Sequence, residues 1–477
     1  MRRLIPCVVL FAVGCPDEPD DPSATATDAT STDPTPGSSS PGETSMTSTS
    51  GATMTSAGTD EESGSSEASE GSSTGEPIPP PTCGALENVP SDPGPHIAQI
   101  EALADDAWLA LGPPAPDPQF GVAFGRSWGG RALVLAPDLR GAFYTGEGVH
   151  AYVKPDGYAM DDVFFYDINA HAWIAVHPGN EIATFNQRVM DGELSIDDNG
   201  QLQDANGNPV PLHVLIHAWD FLTYDTAAQR FVFVAGDGMG DYYMPGLETI
   251  QPGLDMLMAQ REGIAIPPMS PWSYSTADCA WERYPIETPT PDVGGYAAFV
   301  YASATDEYVY AGANGAATFD RTSNAWTVAK DSGPRPTGYD HGVAYDPTRH
   351  RLYMGSGDGT TPPGVFIYDI ATSTWTKPES AGTAPATFRT NDASIFYDSV
   401  NDVVTVFHYL ERTHYTYDPE ADSWTSRPMP DEVFESAANA SYNAFYDPTL
   451  NAYFVYAAAD SGDNGTMWAY RYLAASR

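Results

Sequence analysis

The sequence predicts an all-β protein, a six-bladed β-propeller preceded by a signal peptide and a disordered linker. Two repeated motifs and one sharp change of composition lead to this prediction. The chain has 477 residues, including 43 Gly and 42 Pro, which is typical of many turns and few long helices. Its 27 Tyr and 10 Trp supply enough aromatic surface for a large core.

The first motif is an aromatic residue followed by Trp seven positions later. Five copies share this spacing, which predicts a repeated structural unit. The pairs are Tyr166 and Trp173, Tyr274 and Trp281, Phe319 and Trp326, Tyr368 and Trp375, and Tyr417 and Trp424.

The second motif is an aromatic residue, usually followed by Asp, then a short polar turn and alternating apolar residues. Such alternation around a short turn predicts two strands joined by a hairpin. Together the motifs give four strands per unit, repeated about every 45 to 50 residues in the regular part, and four-stranded units repeated radially form a propeller. The six copies begin near Leu135, Tyr224, Tyr301, Tyr345, Tyr397 and Tyr446.

Trp108 supplies the sixth copy of the Trp motif, since only five follow the six hairpins. We therefore predict a closing strand near residues 107–112 that pairs with the last strands of the chain, leaving no free sheet edge. The alternative is that "HIAQIEALADDAWLALG" is one amphipathic helix. We expect its first half to be helical and Trp108 to begin the closing strand.

The Tyr–six residues–Trp ending resembles the repeat of the kelch family, over about residues 107–473. Kelch units usually carry paired glycines after the second strand, whereas this chain has Gly-x-Gly at 146–148, 236–238 and 355–357, and His408 in the fifth unit. The resemblance implies a divergent propeller like the central domain of galactose oxidase. It also implies a ligand-binding face built from blade-linking loops and from the loops between second and third strands.

The first fifteen residues resemble a bacterial lipoprotein signal. Arg2 and Arg3 precede an apolar run that ends at Cys15, too short to span a bilayer. We predict a signal peptide over 1–15 and lipidation of Cys15; the alternative is ordinary secretory cleavage nearby. This places the protein in the cell envelope, extracytoplasmic, on the outer membrane or the cell surface.

Residues 16–82 contain 28 Ser or Thr, 13 acidic residues, no Lys or Arg and no aromatic residue. Such a segment cannot bury enough apolar surface to offset its ordering entropy, so it is predicted to be a disordered linker. The propeller is assigned to 83–477.

The net charge of −43 excludes nucleic acid as a partner, because phosphate binding needs clustered cations and the chain has only three Lys. Membrane contact is expected through the lipid anchor alone. Cys83 and Cys279 form a possible disulfide in an extracytoplasmic chain, the alternative being two buried thiols. The sequence contains no zinc motif, and Pro209 replaces the Gly that a calcium loop needs, so no metal or cofactor is expected.

Two stretches interrupt the repeat. Residues 179–211 contain Asp198-Asn199-Gly200 and Ala205-Asn206-Gly207, which predict hairpin turns. Residues 237–271 separate the second and third strands of the second blade, and loops of that length in a compact domain are often functional.

Polar residues of several blades meet on the predicted binding face, as an oriented ligand site requires, although loops are also polar simply because they are solvated. We expect a non-enzymatic module that binds a protein or a glycan. The alternative is a sugar isomerase- or epimerase-like enzyme in which His341 with Asp392 or Glu147 acts as acid and base. Copper-radical chemistry is disfavoured because neither Cys83 nor Cys279 reaches the axis. The candidate ligand-binding residues are Arg126, Glu147, Asp220, Asp340, His341, Arg389, Asn391 and Asp392.

Overall fold

The computed structural model confirms the predicted six-bladed, all-β propeller. Every described residue belongs to the unit Gly75–Arg477. The signal peptide, the linker, Cys15, Cys83, Glu147, Asp340 and Asn391 lie outside the described residues. Described are residues 84–126, 132–146, 154, 157–198, 200, 202–210, 220–235, 248–262, 264, 270–284, 288, 291–294, 297–338, 341–357, 364–385, 387–389, 392–435, 440–459 and 465–473.

Six antiparallel sheets of four strands form the blades. β1 (Ala107–Gly112) precedes blade 1, which contains β2 (Leu133–Ala136), β3 (Gly141–Thr145), β4 (Val163–Asp167) and β5 (Ala172–His177). A small hairpin, β6 (Leu194–Ile196) and β7 (Leu202–Asp204), precedes blade 2. Blade 2 contains β8 (Leu222–Asp225), β9 (Arg230–Ala235), β10 (Ser270–Ser275) and β11 (Ala280–Arg283).

The remaining blades follow the same meander. Blade 3 contains β12 (Ala298–Ala302), β13 (Glu307–Gly312), β14 (Gly315–Asp320) and β15 (Ala325–Val328). Blade 4 contains β16 (Val343–Asp346), β17 (Arg351–Gly355), β18 (Val365–Asp369) and β19 (Thr374–Thr376). Blade 5 contains β20 (Ala393–Asp398), β21 (Val403–His408), β22 (Thr413–Asp418) and β23 (Ser423–Pro428), and blade 6 contains β24 (Ala440–Asp447), β25 (Ala452–Ala459) and β26 (Thr466–Arg471).

The first strand of each blade is innermost, and each inner strand contacts the inner strands of the two neighbouring blades, which closes the ring. Blade 6 takes its outer strand from the other end of the described chain, because β1 pairs with β26. Trp108 lies opposite Tyr470 and stacks on it, with ring centroids 4.6 Å apart. This is the same cross-strand pair that Tyr166 and Trp173 form in blade 1.

Turn chemistry explains why the aromatic–Asp motif repeats. In blade 5 the Asp398 carboxylate accepts the N–H groups of Val400 (3.0 Å) and Asn401 (2.9 Å), and Tyr397 donates its hydroxyl to Asp402 at 2.7 Å. Asp402 has φ +56°, a left-handed conformation in which short polar residues are enriched. The corresponding position lies five residues after the aromatic residue (Leu135 in blade 1) in the inner turns and two residues before the Trp in the outer turns. It accounts for twelve of the thirteen described non-glycine residues with positive φ: Asp106, Arg140, His171, Gln229, Cys279, Asp306, Asn324, His350, Ser373, Asp402, Asp422 and Asn451.

The repeated tryptophans form the core between blades. Trp173 is 1% exposed, stacks on Tyr144 of its own blade and meets Tyr456 of blade 6 edge-on, with centroids 5.0 Å apart. Such pairs add to the free energy gained by burial alone. The role of the repeated Trp is therefore structural: it packs neighbouring blades against each other.

Four helices accompany the blades. α1 (Pro95–Glu101) precedes β1, and α4 (Asp431–Glu435) links blades 5 and 6. The two interrupting stretches contain α2 (Ile182–Met190) and α3 (Gln251–Gln260), which pack together with the β6–β7 hairpin around a shared apolar cluster. We call α2, β6, β7 and α3 the cap. None of the helices in the described part of the chain has the length and apolar character that crossing a membrane demands.

Candidate functional site

The candidate site lies on the face where the inner strands begin and the second strands end, which we call the loop face. The opposite face carries the tight hairpin turns, and we call it the hairpin face. The five described candidates, Arg126, Asp220, His341, Arg389 and Asp392, all lie on the loop face, either just before an inner strand or against Asp162 at the start of β4.

Asp220 connects three blades across the axis. It belongs to blade 2, is 1% exposed, and its main-chain oxygen accepts the N–H of Phe299 in blade 3 at 2.8 Å. Its carboxylate accepts the N–H of Val343 in blade 4 at 2.5 Å, so this bond passes over blade 3. A charged acceptor for a buried N–H is a strong hydrogen bond, which makes Asp220 a structural tie at the loop end of the axis.

His341 is completely buried at the start of blade 4. Its Nδ1 lies 2.8 Å from the main-chain N–H nitrogen of Gly357 and 3.1 Å from the main-chain oxygen of Gly355, and the shorter contact makes Nδ1 the acceptor of the Gly357 N–H. The ring proton is then on Nε2, a buried atom that makes no hydrogen bond of ordinary geometry with the described residues, although the main chain of Gly338 lies close enough to the ring to oppose the lowering of its pKa. Burial lowers the pKa of His341, so the imidazole is neutral near pH 7.

Arg389 and Asp392 precede the inner strand of blade 5 and lie beside His341 of blade 4. Residues 341 and 389 form an antiparallel backbone bridge. The Arg389 Nε donates to the Asp392 carboxylate at 2.7 Å, and the Arg389 side chain is 27% exposed. The sequence-predicted Asp220, His341, Arg389 and Asp392 therefore form one group, which we call the axial cluster.

His408 and Glu411 extend the axial cluster, and the sequence analysis did not select them. His408 is buried at the end of β21, its Nε2 lies 3.8 Å from Glu411 Oε1, and Thr387 is within hydrogen-bond distance. Burial lowers the pKa of His408, while Glu411 and Asp392 oppose that shift. The sequence contained a feature that could have identified His408, because this residue stands where other blades have a Gly-x-Gly segment.

Arg126 does not join the axial cluster. Its Nη2 donates to Asp162 at 2.5 Å, and Lys154 lies 3.3 Å from the other oxygen of the same carboxylate. Arg126 is 1% exposed, and within the described part of the chain its Nε and Nη1 have no hydrogen-bond partner. We call Arg126, Lys154, Asp161, Asp162 and His177 the blade-1 cluster.

The blade-1 cluster lies where blade 1 meets the cap. Asp161 accepts two hydrogen bonds from Asn180, two residues before α2 begins. Burial raises the pKa of Asp161, although His177 and Asn180 oppose the shift. Burial lowers the pKa of His177, against the two aspartates. Sequence reasoning selected Arg126 but missed its four partners, because the repeat does not mark any of them.

Cys279 occupies the left-handed position of the β10–β11 turn and is disulfide-bonded. A Cβ on Gly84, the residue after Cys83, would lie 2.9 Å from its Sγ. The Cys83–Cys279 pairing stays a prediction, since Cys83 lies outside the described residues. Among the described residues no three His, Cys, Asp or Glu side chains are grouped as a metal would need.

No protein-family model and no curated protein matches the chain. Solved structures similar to it include one described as YCF48 bound to D1 peptide, with 9% identity, 78% of this chain and 86% of that chain covered, and a TM-score of 0.37. A GH74 xyloglucanase from Xanthomonas campestris has 10% identity over 76% of this chain and 55% of its own, with a TM-score of 0.38. A protein of unknown function from Bacteroides thetaiotaomicron has 9% identity, coverage of 77% and 76%, and a TM-score of 0.40. The class that the fold itself defines is the six-bladed β-propeller.

Proposed function

We propose that the protein is an extracytoplasmic, lipid-anchored, kelch-like propeller that binds a glycan or protein ligand on its loop face. The signal-like segment ending at Cys15 and the acidic linker over 16–82 support an anchored, outward-held domain. The linker composition suits a flexible spacer between membrane and propeller.

The observation that carries the proposal is the buried Nε2 of His341 beside the Arg389–Asp392 ion pair, because this nitrogen makes no hydrogen bond of ordinary geometry with the described residues. A buried polar group without a partner costs about 1–3 kcal/mol, so natural proteins retain few of them without a reason. A ligand oxygen would supply the missing acceptor. Arg389 and Asp392 beside it offer a donor and an acceptor for hydroxyl, carbonyl or carboxylate groups.

His341→Asn is the sharpest test, because the Asn side-chain oxygen replaces Nδ1 as acceptor for Gly357 and only the Nε2–H is lost. We expect thermal stability to stay close to that of the unchanged chain. Binding to glycan arrays and to surface proteins should fall about tenfold or more, the loss of one buried hydrogen bond.

Glu432→Gln is the matched control. Glu432 is exposed on α4, on the same face, and its removal should leave binding unchanged. If His341→Asn binds like the unchanged chain, or if Glu432→Gln weakens binding equally, the axial cluster is not the ligand site.

A second candidate function is acid–base catalysis on a sugar, favoured by the His408–Glu411 pair beside Asp392. Two neutral histidines next to carboxylates are suitable proton acceptors and donors. Incubating the protein with a glycan that it binds separates the two functions. Turnover that disappears in His408→Gln would establish an enzyme, and an unchanged glycan would leave a binding module.

A further inference from the structure

A narrow cavity runs along the propeller axis, separate from the axial cluster. Its volume is about 220 Å³. All six inner strands contribute to the wall, which consists of hydrophobic residues, one threonine and five tyrosines. The lining residues are Leu133, Val134, Leu135, Thr223, Tyr224, Val300, Tyr301, Val343, Ala344, Tyr345, Ile395, Phe396, Tyr397, Phe445 and Tyr446.

The lining residues belong mainly to the halves of the inner strands that lead into the hairpin turns, so the cavity lies toward the hairpin face. At the loop end the Asp220–Val343 bond crosses the axis, and a Cβ on Gly342 would lie only 2.9 Å from Ile395 Cγ2. In blades 4 and 5 exposure increases along the inner strand toward the other end. Val343 and Ile395 are buried and Tyr345 and Tyr397 are partly exposed, whereas Tyr224, Tyr301 and Tyr446 remain buried at 5–7% exposure.

Five tyrosines surround this end of the cavity, one from each blade except blade 1, where Leu135 holds the position. Three of the hydroxyls, those of Tyr224, Tyr301 and Tyr397, donate to aspartates of the hairpin turns, while Tyr446 donates to the Asn451 amide oxygen and Tyr345 lies beside His350. Tyr301 donates to Asp306 at 2.8 Å, and Tyr397 donates to Asp402 at 2.7 Å. Burial raises the pKa of both hydroxyls, so the phenols stay protonated. A carboxylate acceptor pushes electron density into the ring, which makes the ring a better partner for a cation.

The hairpin turns around this end of the cavity are negatively charged. Seven aspartates there form ion pairs or accept tyrosine hydroxyls, and three arginines are their ion-pair partners. The net charge of these ten side chains is −4. Two of the aspartates, Asp138 and Asp398, accept hydroxyls from Tyr224 and Tyr453. The aspartates are Asp138, Asp225, Asp306, Asp346, Asp398, Asp402 and Asp447, and the arginines are Arg140, Arg321 and Arg349.

We propose that the hairpin end of the cavity, the tyrosine ring, binds a small organic cation of the alkylammonium type. Electron-rich rings inside a negative field are the surroundings that such cations prefer. The cavity holds about seven waters' worth of volume, which suits a trimethylammonium head group. The proposal concerns the hairpin face and does not depend on a ligand at the loop face.

Choline and its neutral isostere 3,3-dimethylbutan-1-ol test the role of charge at constant shape. We expect isothermal titration calorimetry on the full chain to show saturable choline binding, at least tenfold tighter than binding of the alcohol and weaker at high salt. Equal affinities for the two compounds, or no choline binding at millimolar concentration, would overturn the proposal.

Matched variants test the role of the rings. Tyr397→Leu should weaken choline binding about three- to tenfold, while Tyr397→Phe, which keeps the ring, should stay within twofold. Leu135→Phe adds a sixth ring and should tighten binding. Melting temperatures of all three separate lost binding from lost folding. Unchanged affinity in Tyr397→Leu, with the fold intact, would refute the assignment of the tyrosine ring.

Discussion

The aspartate that follows the repeated aromatic residue stabilises both its own turn and the next blade. Asp398 is fully buried, accepts two turn N–H groups and accepts the Tyr453 hydroxyl of blade 6 at 2.6 Å. Asp418 occupies the corresponding position in the outer turn of the same blade, where it is half-buried and accepts only the N–H groups of residues 420 and 421. The aspartate of this motif therefore contributes more to the unfolding free energy at the inner turn than at the outer turn.

We expect Asp398→Ala to cost about 3 kcal/mol of unfolding free energy, because it removes the acceptor of two turn N–H groups and of the Asn401 amide and leaves the buried Tyr453 hydroxyl with Thr405 alone. Asp418→Ala should cost about 1 kcal/mol, since water can replace the lost acceptor. Urea unfolding of both variants gives the comparison. Equal losses would show that the contact with blade 6 adds no stability.

His414 makes the propeller sensitive to acid. Its ring is buried, stacks on Phe407 and lies beside the Tyr470 hydroxyl at 3.1 Å, and burial together with the charge of Arg427 lowers its pKa to about 3. The unfolded chain takes up the proton below about pH 6.5 and the folded chain does not. Stability is therefore full above pH 6.5 and decreases as the pH falls toward 3.

Between pH 7.5 and 4.5 this histidine should cost about 2–3 kcal/mol. His414→Phe keeps the stacking and removes the titration, so its urea midpoint should fall less over this range than that of the unchanged chain. Tyr470→Phe retains His414 and should retain the full pH dependence. If His414→Phe loses as much stability in acid as the unchanged chain, another group titrates.

The axial cluster could be predicted from sequence only as a set of residues on one face. The repeat places His341, Arg389 and Asp392 at the starts of adjacent inner strands, which is enough to make them neighbours. The Asp220–Val343 bond could not be predicted, because it depends on how far the blades stand from the axis. The contacts of His341 Nδ1 with Gly355 and Gly357 depend on the path of residues 355–357.

At the scale of elements, the cap contains a helix that the repeat-based prediction did not include. The Gly- and Pro-rich composition favoured turns, and residues 179–211 were predicted to form a hairpin; the β6–β7 hairpin is present, but α2 precedes it. Ile182, Phe185 and Val189 are buried at helical spacing, so the pattern was readable in the sequence. The packing of α2 on α3, some 60 residues later, depends on tertiary structure alone.

Leu257→Ala should loosen the cap while leaving the blades folded. Leu257 on α3 is fully buried in the cluster shared with α2. The cavity left by the smaller side chain should lower the local unfolding free energy of the cap by about 2–4 kcal/mol. Hydrogen exchange read by mass spectrometry should speed up in 182–204 and 251–260 and remain unchanged in blades 3 to 5. Met256→Ala, at a position 41% exposed on the same helix, is the control. Uniformly faster exchange would mean that cap and blades unfold as one unit.

At the scale of the whole molecule, stability depends on joining the two ends of the propeller. β1 covers the edge of β26, and α1 with the residues after it holds Arg471, which donates to the main-chain oxygens of Ile100, Glu101 and Leu103. A closed ring has no free edge, so removing β1 exposes an edge, and removing α1 and residues 102–103 as well leaves an arginine that is 8% exposed without three acceptors.

Truncation therefore separates the N-terminal segments by their structural role. Deleting residues 1–82 should change the melting temperature by no more than about 2 °C, because the composition of that segment provides almost nothing to bury. Deleting residues 1–112 removes β1 and α1 as well and should lower the melting temperature by about 10 °C or more, with aggregation through the open edge. Trp108→Ala in the longer chain isolates the contribution of the Tyr470 stack, which should account for part of that loss and leave the edge covered. Differential scanning calorimetry and light scattering measure both effects. Equal melting temperatures for the two truncations would show that the ring is held by its blade-to-blade packing, without the strand that joins its ends.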